Sequence, residues 1–176
     1  MSEELVVLLA ADGTRIGTEP KASVHTANTP LHLAFSCYLY DGEGRILMTR
    51  RALGKKTWPG VWTNSFCGHP GADESFEDAM VRRAGQELGA AIGGIRPLLP
   101  DFAYRAVDAS GIVENEVCPV FAARIAGDLE PNPDEVAEYA WVAPADLLAA
   151  AKATPFAFSP WLLEQIAQGS LDDPLP

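Results

Sequence analysis

The chain has 176 residues, 48% of them hydrophobic, which suits one globular domain (1–176) with a substantial core. Its net charge of −11 argues against nucleic acid or an anionic membrane as a partner, and no apolar run reaches the roughly 20 residues that a membrane span needs. Three cysteines and the acidic start Met1-Ser2-Glu3-Glu4 argue against a disulfide framework and a secretory signal, so we expect a cytoplasmic protein.

The N-terminal part of the chain predicts strands joined by tight turns. Residues 6–10 are apolar and end at Ala11-Asp12-Gly13, a hairpin pattern. Residues 31–40 alternate over a length that predicts one long strand. Asp41-Gly42-Glu43-Gly44 is a turn sequence, and it leads into a second strand that begins at Ile46.

A helix is predicted over residues 75–88, and Gly89 follows it as a stop signal. Arg83 and Glu87 are four residues apart, so they should be neighbours on one side of this helix. Four apolar residues recur at four-residue steps and are expected to face the core: Phe76, Met80, Ala84 and Leu88.

The sequence after the helix predicts a loop followed by two strands. Residues 97–100 are expected to form a loop, and residues 117–125 a buried strand in which Pro119 causes a bulge or marks an edge. A short strand is predicted over residues 137–142.

Two helices and a loose end are predicted to complete the chain. Pro144 suits the first turn of a helix that runs to Lys152, and Ser159 suits an N-cap with Pro160 at the first helical position. We expect residues 169–176 to fray. Helices at both ends of a mixed sheet predict an α/β fold, arranged as an α/β/α sandwich.

Two short stretches carry residues that suit metal and proton chemistry. On an extended strand Cys67 and His69 point to one face, as do Glu114 and Glu116. If the two stretches meet, they form a metal site with a thiol beside it. With His25 and His32, the set offers imidazole and carboxylate ligands, which suit Mn²⁺ or Zn²⁺ better than Ca²⁺. The alternative is that each histidine is a structural residue and the glutamates lie on an exposed strand face.

The segment that begins at Gly68 has a recognisable spacing. Five residues separate Gly68 from Glu74, seven more lead to Arg82, and Gln86-Glu87-Leu88-Gly89 follows. This pattern resembles the Nudix box, the diphosphate-handling loop and helix of the Nudix superfamily. The usual box continues Arg-Glu and ends in Glu-Glu, whereas this chain has Arg82-Arg83 and Gln86-Glu87. Two carboxylates that hold magnesium in Nudix hydrolases are therefore absent, and one position is a cation.

Four blocks between about Leu5 and Ile166 extend the resemblance. The segments HTANTPLHLAFSCYLY, TRRALGKKTWPGVWTNSFCGHP, YRAVDASGIVENEVCPVFAAR and TPFAFSPW resemble the type 1 isopentenyl-diphosphate isomerase family. The resemblance implies a Nudix-like fold and an isomerase of isoprenoid precursor biosynthesis. Such an enzyme interconverts isopentenyl and dimethylallyl diphosphate by protonation and deprotonation, which is a 1,3-allylic rearrangement.

The resemblance also implies roles for individual residues. Glu116, polarised by a metal and by Tyr104, would be the acid, and Cys67 would be the opposing acid or base. Trp161 would stabilise positive charge through its π face. Five residues would hold the Mn²⁺ or Zn²⁺ ion: His25, His32, His69, Glu114 and Glu116. The alternatives are that Cys67 is a small buried hydrophobe, as we expect for Cys37 and Cys118, and that Trp161 packs in the core.

Cations near the Nudix-like helix point to a small diphosphate substrate. Arg50, Arg51, Lys55 and Lys56 lie within seven residues, and in isolation they would be a solvated basic loop. The resemblance implies that Glu87 holds Mg²⁺, which bridges to the diphosphate. It assigns four residues to diphosphate binding: Lys21, Arg51, Lys55 and Arg83.

Two other functions are compatible with a Nudix-like sequence. One is a hydrolase of nucleoside or other diphosphates, in which Cys67 and Glu116 would have no task. The other is a binding or regulatory module without catalytic activity, which would have little use for the thiol, the metal ligands and the cations together. The sequence leaves a monomer and a homodimer open.

Overall fold

The computed structural model describes residues 4–173 and residue 175. The acidic positions 1–3 and the tail positions 174 and 176 lie outside the described residues. The strands are β1 (Leu5–Leu9), β2 (Arg15–Pro20), β3 (His32–Leu33), β4 (Phe35–Tyr40), β5 (Ile46–Arg51), β6 (Trp62–Thr63), β7 (Phe66–Gly68), β8 (Ala91–Leu99), β9 (Ala103–Val107), β10 (Val113–Val117), β11 (Val120–Ala126) and β12 (Val136–Val142). The helices are α1 (Lys21–Val24), α2 (Phe76–Leu88), α3 (Pro144–Ala153) and α4 (Pro160–Ala167), with a 3₁₀ turn at Pro155–Ala157.

The strands form two sheets, and both are mixed. The first has the order β2-β1-β3-β10-β9. The second has the order β12-β5-β4-β11-β8, with β6 beside β5 and β7 beside β4. The pairs β3–β10 and β4–β11 are parallel, and the other pairs are antiparallel. The predicted α/β class with mixed strand directions is confirmed. None of the helices in the described chain has the length and apolar character that crossing a bilayer requires.

The chain passes between the two sheets at two points, and both were predicted as continuous strands. Residues 31–40 are divided at Ala34 into β3 and β4. Residues 117–125 are divided at Cys118-Pro119 into β10 and β11. The two predictions of single strands are therefore wrong. Proline has no N–H for a ladder, which explains a break at Pro119, but an alternating pattern does not show which sheet each half joins.

A further prediction of the C-terminal half is wrong. Residues 97–99 belong to β8, an edge strand of its sheet, where proline is tolerated because one side of the strand needs no ladder. In the tail that is expected to fray, Ser170 and Leu171 are buried and Asp172 and Asp173 are exposed. Strand β9 was not predicted at all.

The N-cap predicted at Ser159 is confirmed, because its side chain accepts a hydrogen bond from the backbone N–H of Leu162. Ser75, predicted as the first residue of α2, lies just before the helix and caps it by accepting a hydrogen bond from the backbone N–H of Asp78. Gly89 ends α2 in the left-handed region at φ 59°. The core face of α2 is also as predicted: Met80, Ala84 and Leu88 are buried, and Phe76 packs against the same cluster.

Candidate metal and diphosphate site

All three histidines converge next to β10. His25 follows α1, His32 lies on β3, and His69 follows β7; their ring centroids are 5.1 to 5.8 Å apart. Glu116 is the register partner of His32 in the parallel pairing of β10 with β3. Its Oε1 atom lies 3.3 Å from His32 Nε2 and 3.2 Å from His69 Nε2. One potential ligand atom from each of these four residues falls within 4.8 Å of the others.

Glu114 lies beside this group and on the same face of β10. Its Oε2 atom is 3.1 Å from His25 Nε2, and its Oε1 atom accepts a 2.7 Å hydrogen bond from Thr57. Within the described chain, four buried atoms of the cluster have no hydrogen-bond partner: His25 Nε2, His32 Nε2, His69 Nδ1 and Glu114 Oε2. Buried polar atoms without partners are rare, and imidazole nitrogens grouped with carboxylate oxygens are a typical donor set for a divalent transition metal. The cluster therefore fits a metal ion.

Two features of the cluster prepare it for a cation. His32 Nδ1 lies 3.0 Å from the carbonyl oxygen of Pro30 and donates to it, so Nε2 is the nitrogen that faces the cluster. Burial raises the pKa of Glu116, but the adjacent imidazole groups of His32 and His69 outweigh that effect and hold the pKa well below its usual range. Without a metal, Glu116 is therefore ionised at neutral pH.

Cys67 lies on β7, and two polar side chains hold its thiol. The Sγ atom is 3.3 Å from Ser36 Oγ, 3.4 Å from Asn64 Nδ2 and 3.5 Å from Asn64 Oδ1. Burial raises the pKa of the Cys67 thiol to about 11. Cys37 and Cys118 are buried in the core, as expected.

Gly68 lets helix α2 approach the strand that carries Cys67. A Cβ atom built at Gly68 would lie 2.7 Å from Arg83 Cγ and 2.9 Å from Phe35 Cζ, closer than carbon atoms pack. The glycine that opens the Nudix-like spacing is therefore required sterically. It brings Arg83 and Glu87 of α2 to the cavity that Cys67 lines.

The aromatic residues form one wall of this cavity. Tyr104 is the register partner of Glu116 in the pairing of β9 with β10, and its ring centroid is 5.7 Å from that of Trp161. Trp161 donates a 3.1 Å hydrogen bond from Nε1 to Asn64 Oδ1 and is nearly buried. Trp161 thus packs in the core and also lines the cavity, so both sequence interpretations describe its position.

All four cations assigned to diphosphate binding line the same cavity of about 460 Å³. Lys21 pairs with Glu4 at 3.0 Å, and Lys55 pairs with Glu135. Arg83 pairs with Glu87 and, at 3.4 Å, with Glu135. Burial lowers the pKa of Lys55 to about 8. Of the basic cluster in the sequence, Arg50 is directed elsewhere, to Glu138 and the carbonyl oxygen of Gly60.

Four residues of the site have no counterpart in the sequence interpretation. Glu4 and Glu135 line the cavity and neutralise its cations, and Thr57 and Asn64 hold the side chains of other site residues. Thr57 and Asn64 both lie in the second of the four quoted blocks. They are neutral loop residues, and no sequence pattern indicates which side chains such residues contact. Only the folded chain shows them.

Comparison with known proteins gives the class and then the family. A family model described as NUDIX domain matches residues 30–162, so the two mixed sheets, helix α2 and the adjoining cavity define a NUDIX-domain protein. Solved structures with this fold include a protein from Deinococcus radiodurans, with 20% sequence identity and a TM-score of 0.71 over 94% of this chain and 98% of that one. A MutT protein from Methanosarcina mazei has 18% identity and a TM-score of 0.61 over 81% and 94%.

Much more similar sequences are named isopentenyl-diphosphate Delta-isomerase. The protein from Paenarthrobacter aurescens is 63% identical over 165 residues, which cover 94% of this chain and 90% of that one. Those from Clavibacter michiganensis and Kocuria rhizophila are 61% and 58% identical, covering 93% and 98% of this chain and 84% and 96% of theirs. The chain belongs to the isopentenyl-diphosphate Delta-isomerase family.

Proposed function

We propose that this protein interconverts isopentenyl diphosphate and dimethylallyl diphosphate. The observation that carries the proposal is that Cys67, Glu116 and Trp161 line one cavity with the four cations. The cations would bind the diphosphate, and the other three residues would surround the five-carbon chain. The family of the chain supports this reaction.

The reaction moves a double bond by one position. A proton is added to the terminal alkene carbon, a tertiary carbocation forms, and a proton is lost two carbons away. We assign Cys67 and Glu116 as the two groups that exchange these protons and Trp161 as the ring that stabilises the cation. Tyr104, next to Glu116 across the strand pair, would orient or polarise the carboxyl group.

Glu116 would be the acid, with its carboxyl group polarised by the bound metal ion and by Tyr104. Cys67 would be the opposing acid or base. Burial raises the pKa of the Cys67 thiol to about 11, so the thiol is protonated in the free protein.

Two metal positions complete the proposal. His25, His32, His69, Glu114 and Glu116 would hold Mn²⁺ or Zn²⁺, which would polarise the Glu116 carboxyl. Glu87 would bind Mg²⁺ together with phosphate oxygens. The buried Nε atom of Arg83 has no hydrogen-bond partner in the described chain, which supports its assignment to the diphosphate.

A Nudix hydrolase fits the geometry less well. Glu74 accepts two 2.7 Å hydrogen bonds from Arg82 and does not line the cavity. Among the carboxylates at the Nudix-box positions of the described chain, Glu87 alone reaches the cavity, and Arg83 is paired with it. A hydrolase needs a metal-activated water near phosphorus, and metals gather where carboxylates cluster.

The reaction can be tested in D₂O. Purified protein is incubated with isopentenyl diphosphate, Mg²⁺ and Mn²⁺, and deuterium uptake is followed by NMR. We expect dimethylallyl diphosphate with deuterium in the carbon chain. Release of phosphate without isomerisation would instead establish a hydrolase, and no change would indicate a binding module.

A further inference from the structure

Thr57 contacts both halves of the site. It lies in the loop between β5 and β6 and is buried. Its hydroxyl group donates a 2.7 Å hydrogen bond to Glu114 Oε1 and accepts a 3.2 Å bond from Arg51 Nη2. Its carbonyl oxygen accepts two further bonds from Arg51, at 3.1 Å from Nε and 2.8 Å from Nη2. One residue thus holds a carboxylate of the metal cluster and a cation of the diphosphate region.

The direction of these hydrogen bonds is fixed. A hydroxyl group has one proton, and an ionised carboxylate can only accept, so the Thr57 proton goes to Glu114. A guanidinium group can only donate, so Arg51 donates to the lone pair of the same oxygen. The hydrogen bonds therefore run from Arg51 to Thr57 and from Thr57 to Glu114, and a rotation that takes Oε1 of Glu114 out of reach would remove the bond that orients the Thr57 hydroxyl group.

The backbone next to Thr57 is strained, which indicates that the position of the loop is imposed by its surroundings. Trp58 has φ 42° and is the only non-glycine residue with positive φ in the described chain. A bulky residue is disfavoured there, and the following Pro59 restricts Trp58 further. The ring of Trp58 packs edge-on against Trp161 with centroids 5.3 Å apart. Strained conformations persist where packing over-determines them, and they cluster at functional sites.

We propose that Thr57 is a positioning residue that couples metal binding to diphosphate binding. A metal ion bound to Glu114 would fix that carboxylate, which would fix the Thr57 hydroxyl and thereby the guanidinium group of Arg51. By reciprocity, an anion held by Arg51 would favour the Glu114 orientation that binds the metal. The inference rests on the proposed function in one respect, because it takes the anion at Arg51 to be a diphosphate.

The test measures binding and needs no turnover. The wild type, Thr57→Val and Thr57→Ser are each prepared without metal and with one equivalent of Mn²⁺, followed by desalting. The dissociation constant of inorganic diphosphate is then measured by calorimetry at a fixed Mg²⁺ concentration. The coupling factor is the dissociation constant of diphosphate without Mn²⁺ divided by the constant with Mn²⁺. This factor also contains the direct attraction between the Mn²⁺ ion and the diphosphate.

Thr57→Ser keeps the hydroxyl group and Thr57→Val removes it with little change in volume. We expect Thr57→Ser to keep the wild-type coupling factor and Thr57→Val to lower it by about 5-fold or more, a factor within the range known for coupled sites. Arg51→Lys keeps the charge but loses the planar guanidinium group that bonds both oxygens of Thr57, so it should lower the factor similarly. This variant decides the question if Thr57→Val does not fold.

The outcomes separate the coupling from the proposed function. The role of Thr57 would be overturned if the wild type and Thr57→Val had equal coupling factors. If the valine variant does not fold, equal factors in the wild type and Arg51→Lys would overturn it. Either result would leave the isomerase proposal intact. Failure of the wild type to bind diphosphate under both conditions would overturn the role of Thr57 and the proposed diphosphate site together. A reduced factor in both variants supports the coupling.

Discussion

Glu116 and His32 are register partners in the parallel pairing of β10 with β3, and their Oε1 and Nε2 atoms lie 3.3 Å apart. The pairing joins parts of the chain that are more than 80 residues apart, and His32 is fully buried. Formation of this pair in the first sheet therefore assembles the metal cluster. Metal binding and the stability of that sheet should depend on each other.

The first prediction is that the purified protein retains about one Mn²⁺ or Zn²⁺ per chain and loses stability when the ion is removed. An ion that binds the folded chain alone stabilises it by about 2.7 kcal/mol at 100 times its dissociation constant. Elemental analysis and melting curves before and after chelation measure both effects. Glu116→Gln should weaken retention of the ion, whereas the exposed Glu77→Gln should not. Fully active enzyme without a transition metal would remove the histidines as ligands.

The second prediction concerns the proton-exchanging pair. Cys67→Ala and Glu116→Gln should each lower kcat by at least ~10³ and leave the fold intact, because each removes a proton-transfer group. Cys118→Ala is the matched control, since its thiol also lies near Ser36, at 3.5 Å, but does not line the cavity. Steady-state kinetics and circular dichroism provide the measurements. Near-native turnover in either active-site variant would disprove the assignment of that residue.

The third prediction is that Arg83→Ala raises KM. The lost contact is a charge-assisted hydrogen bond of roughly 1.5–3 kcal/mol, and kcat should change little because the diphosphate charge is the same in the ground and transition states. Loss of Arg83 also leaves Glu87 without its cation partner, which should favour binding of Mg²⁺ there. Arg105→Ala, at an exposed position outside the cavity, is the control. An unchanged KM would contradict the role of Arg83.

The fourth prediction is a pH dependence that arises from Lys55. Burial lowers the pKa of its ammonium group to about 8 in the free protein. As pH rises through this value the group becomes neutral and loses its attraction for the diphosphate, so kcat/KM should fall above pH 8. Lys55→Arg keeps its charge throughout this range, so its kcat/KM should not show this fall. A profile with the same alkaline limb in both proteins would assign that limb to another group.

The sequence by itself determined the features that depend on neighbours within a few residues. The cap at Ser159, the left-handed stop at Gly89 and the apolar face of α2 each depend on one turn of backbone, and the structure has them as predicted. The types of residue in the site were also visible, because the resemblance joins four separated blocks. The protonation states of these residues were not visible in the sequence. Burial sets the pKa of Cys67, for example, and burial depends on the whole fold.

Only the tertiary structure decided how the chain is divided between the two sheets. An alternating pattern predicts an extended backbone, and β3, β4, β10 and β11 all satisfy it, but it does not specify a partner strand. The crossings at Ala34 and Pro119 place β3 beside β10 in one sheet and β4 beside β11 in the other. This long-range pairing brings Glu116 to the histidines. It also places Glu114 where Thr57, on the loop that follows β5, lies between it and Arg51. Contacts between such distant residues depend on the packing of the whole chain, because no local spacing specifies them.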